Sequence, residues 1–296
     1  MVLVLATVAG CGSNRTGATL PSEPLALMRS GTTTPAKHEF VFTCQSALAY
    51  ECRVYNGDGL LLRTKKKELV DPRAVAAGGD GLLYVANEGA RNVLVYTAGA
   101  RKLLRALDDG GNVPLDVAVF GQTVVTSNLH NATVFLPGAT KPSRTLTDQN
   151  VLQGSGVAFD PSGNCFWSFT NEQSMAQMDE FTGCKGKPIA VPISAGSPQS
   201  MAFDGKGNLW YTSLSTRGPG VYRCTGTSGC QIVYDEFANP SNINFSRDFR
   251  DLWVNDPGSG SLYEVDVASG KIVQRITAGL TSANPPAGVA SAPGPL

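Results

Sequence analysis

GVAFDPSGNCFWSFTNEQSMAQMDEF, residues Gly156–Phe181, decides the fold, because it recurs in degenerate form along the chain. AVAAGGDGLLYVANEGARNVLVY starts at Ala74, DVAVFGQTVVTSNLHNATVF at Asp116, SMAFDGKGNLWYTSLSTRGPGVY at Ser200 and NINFSRDFRDLWVNDPGSGSLYEV at Asn242. GVASAPG, from Gly288, repeats only the opening strand. The corresponding apolar positions are Val75, Val117, Val157, Met201, Ile243 and Val289, at steps of 42, 40, 44, 42 and 46 residues. That is the period of a propeller blade made of four strands.

Within each unit a short apolar run leads through a Gly/Asp/Ser turn to a run rich in aromatic and β-branched residues, such as LLYVAN, CFWSFTN or LWVN. Apolar runs of this length bounded by Gly, Pro, Asn and Asp read as strands, and no stretch sustains a helical period. The fold class is therefore all-β. Between Gly31 and Asp71 the chain has material for three strands, EFVFTCQ, CRVYNGD and LLLRTKK, but no opening strand. The orphan PAGVAS, Pro286–Ser291, supplies it. The reading is a six-bladed β-propeller of four-stranded blades, closed by the C-terminal strand joining the N-terminal blade, which leaves only short, protected edges. Residues 38–291 number 254, about six periods of 42, and 292–296 read as a tail.

The chain carries 24 basic and 24 acidic residues, so neither nucleic acid nor an anionic membrane surface is expected as its main partner. The basic run Lys65–Lys67 falls where the first blade's outer strand should lie, as a guard against edge pairing. MVLVLATVAG, residues 1–10, is too short to span a bilayer and is followed directly by Cys11. Val8, Ala9, Gly10 and Cys11 resemble the lipobox of a bacterial lipoprotein signal peptide. This implies cleavage before Cys11, its acylation and an extracytoplasmic, membrane-anchored protein. A charged leader does not precede the apolar run. Residues 11–37 comprise that anchor site and a Ser/Thr/Gly/Pro-rich stretch that reads as a tether.

Six cysteines remain, an even number that suggests disulfides in an exported chain. Placed on the blades, Cys44 with Cys52, Cys165 with Cys184 and Cys224 with Cys230 each join adjacent antiparallel strands. No CxxC pair offers a zinc site instead.

Loops entering the first strand and loops joining the second to the third share one face of a propeller. That channel mouth is the expected ligand site. It should gather Arg73, Asp116, Gln199 and Asn242 from the first set, and Asn87, Glu88, Asn128, His130, Asn171, Glu172, Asn255 and Asp256 from the second. The asparagines that end the second strand suit calcium as amide-oxygen ligands. They equally suit capping of the turn that follows, and their repetition in several blades favours capping. Of the two histidines, His38 precedes the first strand and His130 alone is placed at the mouth. Asp160-Pro-Ser-Gly and Asp204-Gly-Lys-Gly read as turns on the opposite face, with Gly163 and Gly207 supplying the permissive φ. Nucleophile-elbow, zincin, P-loop and dinucleotide motifs do not occur.

GVAFDPSGNCFWSFTN and MAFDGKGNLWYTS resemble the NHL-type repeat and its relatives, the six-bladed streptogramin-lyase and regucalcin/gluconolactonase groups, over about Pro72–Val289. The lyase group implies a later-blade histidine with magnesium, but no histidine follows His130. The lactonase group implies a divalent metal held by a first-blade Glu with Asn or Asp from later blades. Asn128, Asn171 and Asn255 lie at comparable strand ends, but Glu51 falls inside an expected disulfide loop. The function expected is non-catalytic binding or scaffolding by a monomer without a cofactor, holding a protein, glycan or small ligand. The alternative is a lactonase- or lyase-like enzyme using calcium or magnesium.

Overall fold

A computed structural model describes residues 40–193, 196–215 and 218–294; the expected lipobox with Cys11, the tether and His38 lie outside the described residues. The described residues form six four-stranded antiparallel sheets. From the inside outward, blade 1 consists of Ala290–Ala292, Phe40–Gln45, Glu51–Asn56 and Leu61–Lys65. Blade 2 is Pro72–Ala77, Leu83–Asn87, Asn92–Tyr96 and Leu103–Asp108, and blade 3 is Pro114–Phe120, Thr123–Asn128, Ala132–Phe135 and Arg144–Leu146. Blade 4 is Val151–Phe159, Cys165–Asn171, Ala176–Phe181 and Ile189–Ala190. Blade 5 is Pro198–Phe203, Leu209–Ser215, Gly218–Thr225 and Ser228–Tyr234, and blade 6 is Asn242–Phe245, Asp251–Asp256, Ser261–Asp266 and Lys271–Ile276. The inner strands touch one another in that order and close into a ring.

The closing strand comes from the far end of the chain, as the orphan opening run required. Ala290, Ser291 and Ala292 pair with Phe42, Val41 and Phe40. Gln45 bridges to Pro286 just beyond, and the Tyr55 hydroxyl donates to the Ala278 carbonyl, 2.9 Å away, across the same seam.

A period of two sends alternate side chains of a strand to opposite faces of its sheet, and in this ring both faces are buried. In Cys165–Asn171, Trp167 and Phe169 enter the core between blades 3 and 4, whereas Phe166 enters the core between blades 4 and 5. One such core fills each gap of the ring. This is why the second strands read as continuous apolar runs instead of alternating ones.

All three cysteine pairs are joined: Cys44–Cys52, Cys165–Cys184 and Cys224–Cys230. Each bridge lies within one blade and none links two blades. Bridges of this kind belong to an oxidising compartment. Of the basic run, only Lys65 lies in the outer strand. Lys66 and Lys67 lie beyond it, pairing with Glu51 at 3.1 Å and with Glu68 at 3.4 Å.

Candidate functional site

Each inner strand begins on one face of the ring, called here the inlet, and ends on the other, the outlet. The residue just before each apolar marker, near the inlet, is Ala74, Asp116, Gly156, Ser200, Asn242 or Gly288. These six positions join neighbouring blades. An Asp116 carboxylate oxygen accepts the Val157 N–H at 3.1 Å. Asn242 accepts the Val289 N–H and donates to the Ser200 hydroxyl, both at 2.9 Å. A Cβ at Gly156 would lie 2.9 Å from the Ser200 Cα, and one at Gly288 equally close to the Ala74 Cα. Adjacent strands are thus in backbone contact here, which only glycine permits.

A cavity of about 240 Å³ runs from this belt toward the outlet. Five inner strands line it, from Val75–Ala77, Asp116–Phe120, Val157–Phe159, Ser200–Phe203 and Asn242–Phe245. The outlet turns supply Asp160, Pro161, Asp204, Gly205 and Phe249. The turn reading of those segments holds. Asp160 accepts the N–H groups of Ser162 and Asn164, Asp204 accepts those of Lys206 and Asn208, and Gly163 and Gly207 have φ of 81° and 77°.

Burial pushes the Asp116 carboxyl up to about 7, against the opposing effect of the Val157 and Val117 N–H groups. Burial also acts on Asp204. There, hydrogen bonds from Asn208, the Trp210 indole and the Lys206 N–H prevail and hold the carboxyl below its ordinary range. Asn244 is among the residues that line the cavity, but its Oδ1 is buried away from it and without a hydrogen-bond partner.

Of the mouth residues expected from the sequence, Asp116 and Asn242 line this cavity, and the rest are dispersed over the inlet face. Arg73 pairs with Glu88 and, at 3.5 Å, with Asp71. His130 and Glu172 are exposed, and Gln199 is half-buried with its amide on the Ser197 carbonyl at 3.4 Å. Asp256 is buried and accepts the Ala238 and Asn239 N–H groups.

The four strand-end asparagines are buried within their own blades. Asn87 accepts the Val70 N–H at 2.7 Å, and Asn171 accepts those of Gln173 and Met175. Asn128 and Asn255 donate to Asn131 and Ser241 and leave their Oδ1 atoms unpartnered. Those two oxygens belong to blades 3 and 6, on opposite sides of the ring with the inner strands between them, and cannot share one ion. Among the described residues no three His, Cys, Asp or Glu side chains converge as metal ligands. The residues present therefore do not fit the divalent metal that the lactonase resemblance implies.

The outlet end of this cavity is not among the sites expected from the sequence. Its signal lay in the repeat itself: Phe120, Phe159, Phe203 and Phe245 each end an inner strand.

No protein-family model and no curated protein matches the chain. Solved structures do. A chain from the crystal structure of a nidogen/laminin complex superposes with a TM-score of 0.70 at 14% sequence identity, covering 86% of this chain and 98% of that one. At that identity the likeness is one of fold: a six-bladed ring of four-stranded blades.

Proposed function

We propose that the chain is an exported lipoprotein, acylated at Cys11, whose propeller is a non-catalytic module that holds a protein partner on its inlet face. The observation that carries this reading is a set of exposed apolar side chains on the inlet face. Leu48, Tyr50, Val70, Leu152, Met175 and Leu214, 43–76% exposed, lie in its loops or strand ends, whereas the other exposed large apolar side chains are spread over the outer strands (Leu62, Leu104, Ile189, Ile232 and Ile272) or lie at the outlet (Leu60 and Phe120). Loops presented by a rigid scaffold are the usual carriers of recognition, and apolar side chains gathered on one face mark interaction surfaces. The three disulfides support export. The GVAFD repeat supports kinship with the NHL-type propellers. That the structural neighbour comes from a nidogen/laminin complex supports a protein as the partner.

Two experiments test the two halves. Expressed with its leader in a bacterium, the chain should incorporate a palmitate analogue, and Cys11→Ser should abolish both labelling and membrane retention. Photocrosslinkers at Leu48 or Met175 should trap one defined protein that crosslinkers at Leu60 or Ile272 do not. A triple variant, Leu48→Ser with Met175→Ser and Leu214→Ser, should lose it at an unchanged melting temperature. Equal trapping from all positions, or undiminished trapping by the triple variant, refutes the inlet assignment. A melting temperature raised by calcium or magnesium in proportion to concentration would favour the enzyme alternative.

A further inference from the structure

Two carboxyl groups face each other between blades 3 and 4. Asp179 lies in the strand Ala176–Phe181 opposite Trp167, so its side chain takes the same face as that indole and points into the gap. It is 4% exposed, and its Oδ2 is buried with no hydrogen-bond partner. Beside it is the half-buried Asp148, which hydrogen-bonds to it from residues 147–150, the inlet loop that leads from blade 3 to blade 4. Two carboxyls share a hydrogen bond only if one of them keeps a proton.

No described cation relieves the pair. On the paired strand the neighbours of Trp167 on this face are Cys165 and Phe169, and the outer strand, Ile189–Ala190, is uncharged. Arg144, on the adjoining strand of blade 3, turns its guanidinium to the Gly183 and Cys184 carbonyls, at 3.2 and 3.3 Å. Glu180 follows Asp179 and takes the opposite face. Lys185 and Lys187 lie in the outlet turn before Ile189. Burial, and then the Asp148 carboxylate, push the Asp179 carboxyl up to about 6, and no described base lowers it.

The two carboxyls differ in freedom. The strand of Asp179 pairs from Ala176 to Phe181 with Cys165–Thr170, and the Cys165–Cys184 disulfide ties its far end. Asp148 stands on a loop. Its Oδ1 accepts the Asn150 N–H at 3.2 Å, and the Asn150 carbonyl accepts the Glu172 N–H at 3.0 Å. Asn150 and Glu172 lead into Leu152 and Met175, both exposed on the inlet face.

We propose that Asp148 and Asp179 form a proton-held latch on the inlet face. With the proton in place, Asp179 donates to Asp148 and pins the loop to blade 4. When the proton passes to solvent, two like charges meet with one of them buried, and the loop, as the freer side, swings out. The Leu152 and Met175 part of the inlet surface then loses its fixed shape. Because the Asp179 carboxyl is raised on folding, the latch holds fully below about pH 4 and lets go as the pH rises through about 6. The latch stands on its own contacts, and its effect on a partner rests on the inlet reading above.

Carboxyl-carbon NMR of the full chain should show Asp179 titrating at about 6. Amide exchange, corrected for intrinsic rates, should show the Glu172 N–H losing protection at least about tenfold between about pH 5 and about pH 8. Asp179→Asn keeps a donor for Asp148 at every pH and should remove that loss. If Asp179→Asn does not fold, Asp148→Asn, at the half-buried position, should do the same by donating to the Asp179 carboxylate. Crosslinking from Met175 should fall over the same range while crosslinking from Leu48 holds. An Asp179 carboxyl that titrates near its ordinary 3.8, or a loss of Glu172 protection that persists in both variants, would overturn the latch. Failure to trap any partner, with the Glu172 response intact, would sink the inlet reading alone. A Met175 yield indifferent to pH, with a partner trapped, would overturn the latch's hold on the docking surface.

Discussion

Removing residues 286–296 takes the inner strand out of blade 1, and its cost can be worked from what that strand buries. Val289, Ala290 and Ala292 are 0–1% exposed and belong to the two cores that flank the blade. Re-exposing a valine costs about 1.5–3 kcal/mol and each alanine methyl about 0.8 kcal/mol. Asn242 would lose the Val289 N–H and keep a buried, unpaired acceptor, for about 1–3 kcal/mol more. The sum is about 4–8 kcal/mol, against a typical total stability of about 5–15 kcal/mol. Truncation should therefore remove at least about a quarter of that free energy, and abolish the cooperative transition if the intact ring lies toward the lower end of the range. Urea denaturation followed by tryptophan fluorescence reads this directly, because Trp253 sits in the same core as Val289. A synthetic peptide of residues 285–294 added in trans should restore the transition in a concentration-dependent way. If the truncated chain unfolds within about 0.5 kcal/mol of the intact one, or the peptide has no effect, the ring is not closed by this strand.

Three further outcomes are expected. Asp116 carries a carboxyl raised from 3.8 to about 7 on folding, so the native state holds a proton that the unfolded chain has lost. Stability should fall as pH rises from about 4 to about 7, and Asp116→Asn should exceed the parent at pH 8 by up to the order of 4 kcal/mol, with the gap closing near pH 4. A gap independent of pH would remove that assignment. Opening the Cys165–Cys184 bridge, 19 residues apart, by paired serine substitution should cost about 3 kcal/mol, and opening Cys224–Cys230, 6 apart, about 2 kcal/mol. The reverse order in urea titrations would mean that chain entropy does not govern them. Asn171→Ala deprives the Gln173 and Met175 N–H groups of their acceptor and should lower stability by about 1–3 kcal/mol. It should leave the melting response to calcium and magnesium unchanged, and a metal response lost in this variant would return Asn171 to the ligands.

The fold was legible because burial on both faces of each sheet writes the same apolar run into every unit, and because the lone GVAS at the C-terminus had no other strands to serve. The disulfide pairs followed from placing the cysteines on those strands. Asn171 could be read as a cap because its acceptor serves the turn two and four residues ahead. Asp116 and Asn242 could not be read fully: each bonds to a residue 41 or 47 positions along the chain, a closeness that only the ring creates. Nor does the repeat say which end of the bore is open. Phe120 and Phe159 mark that end, yet in sequence they are merely the last apolar residues before a turn.

The first described residue has an orienting consequence. Phe40 pairs with Ala292, the last residue of the closing strand, so it stands on the outlet side of the ring. The two chain segments that make blade 1's seam thus meet at one rim of the ring. A fluorophore or fusion partner joined at either side of that seam would leave the inlet loops uncovered, and the two attachments would report on the same rim.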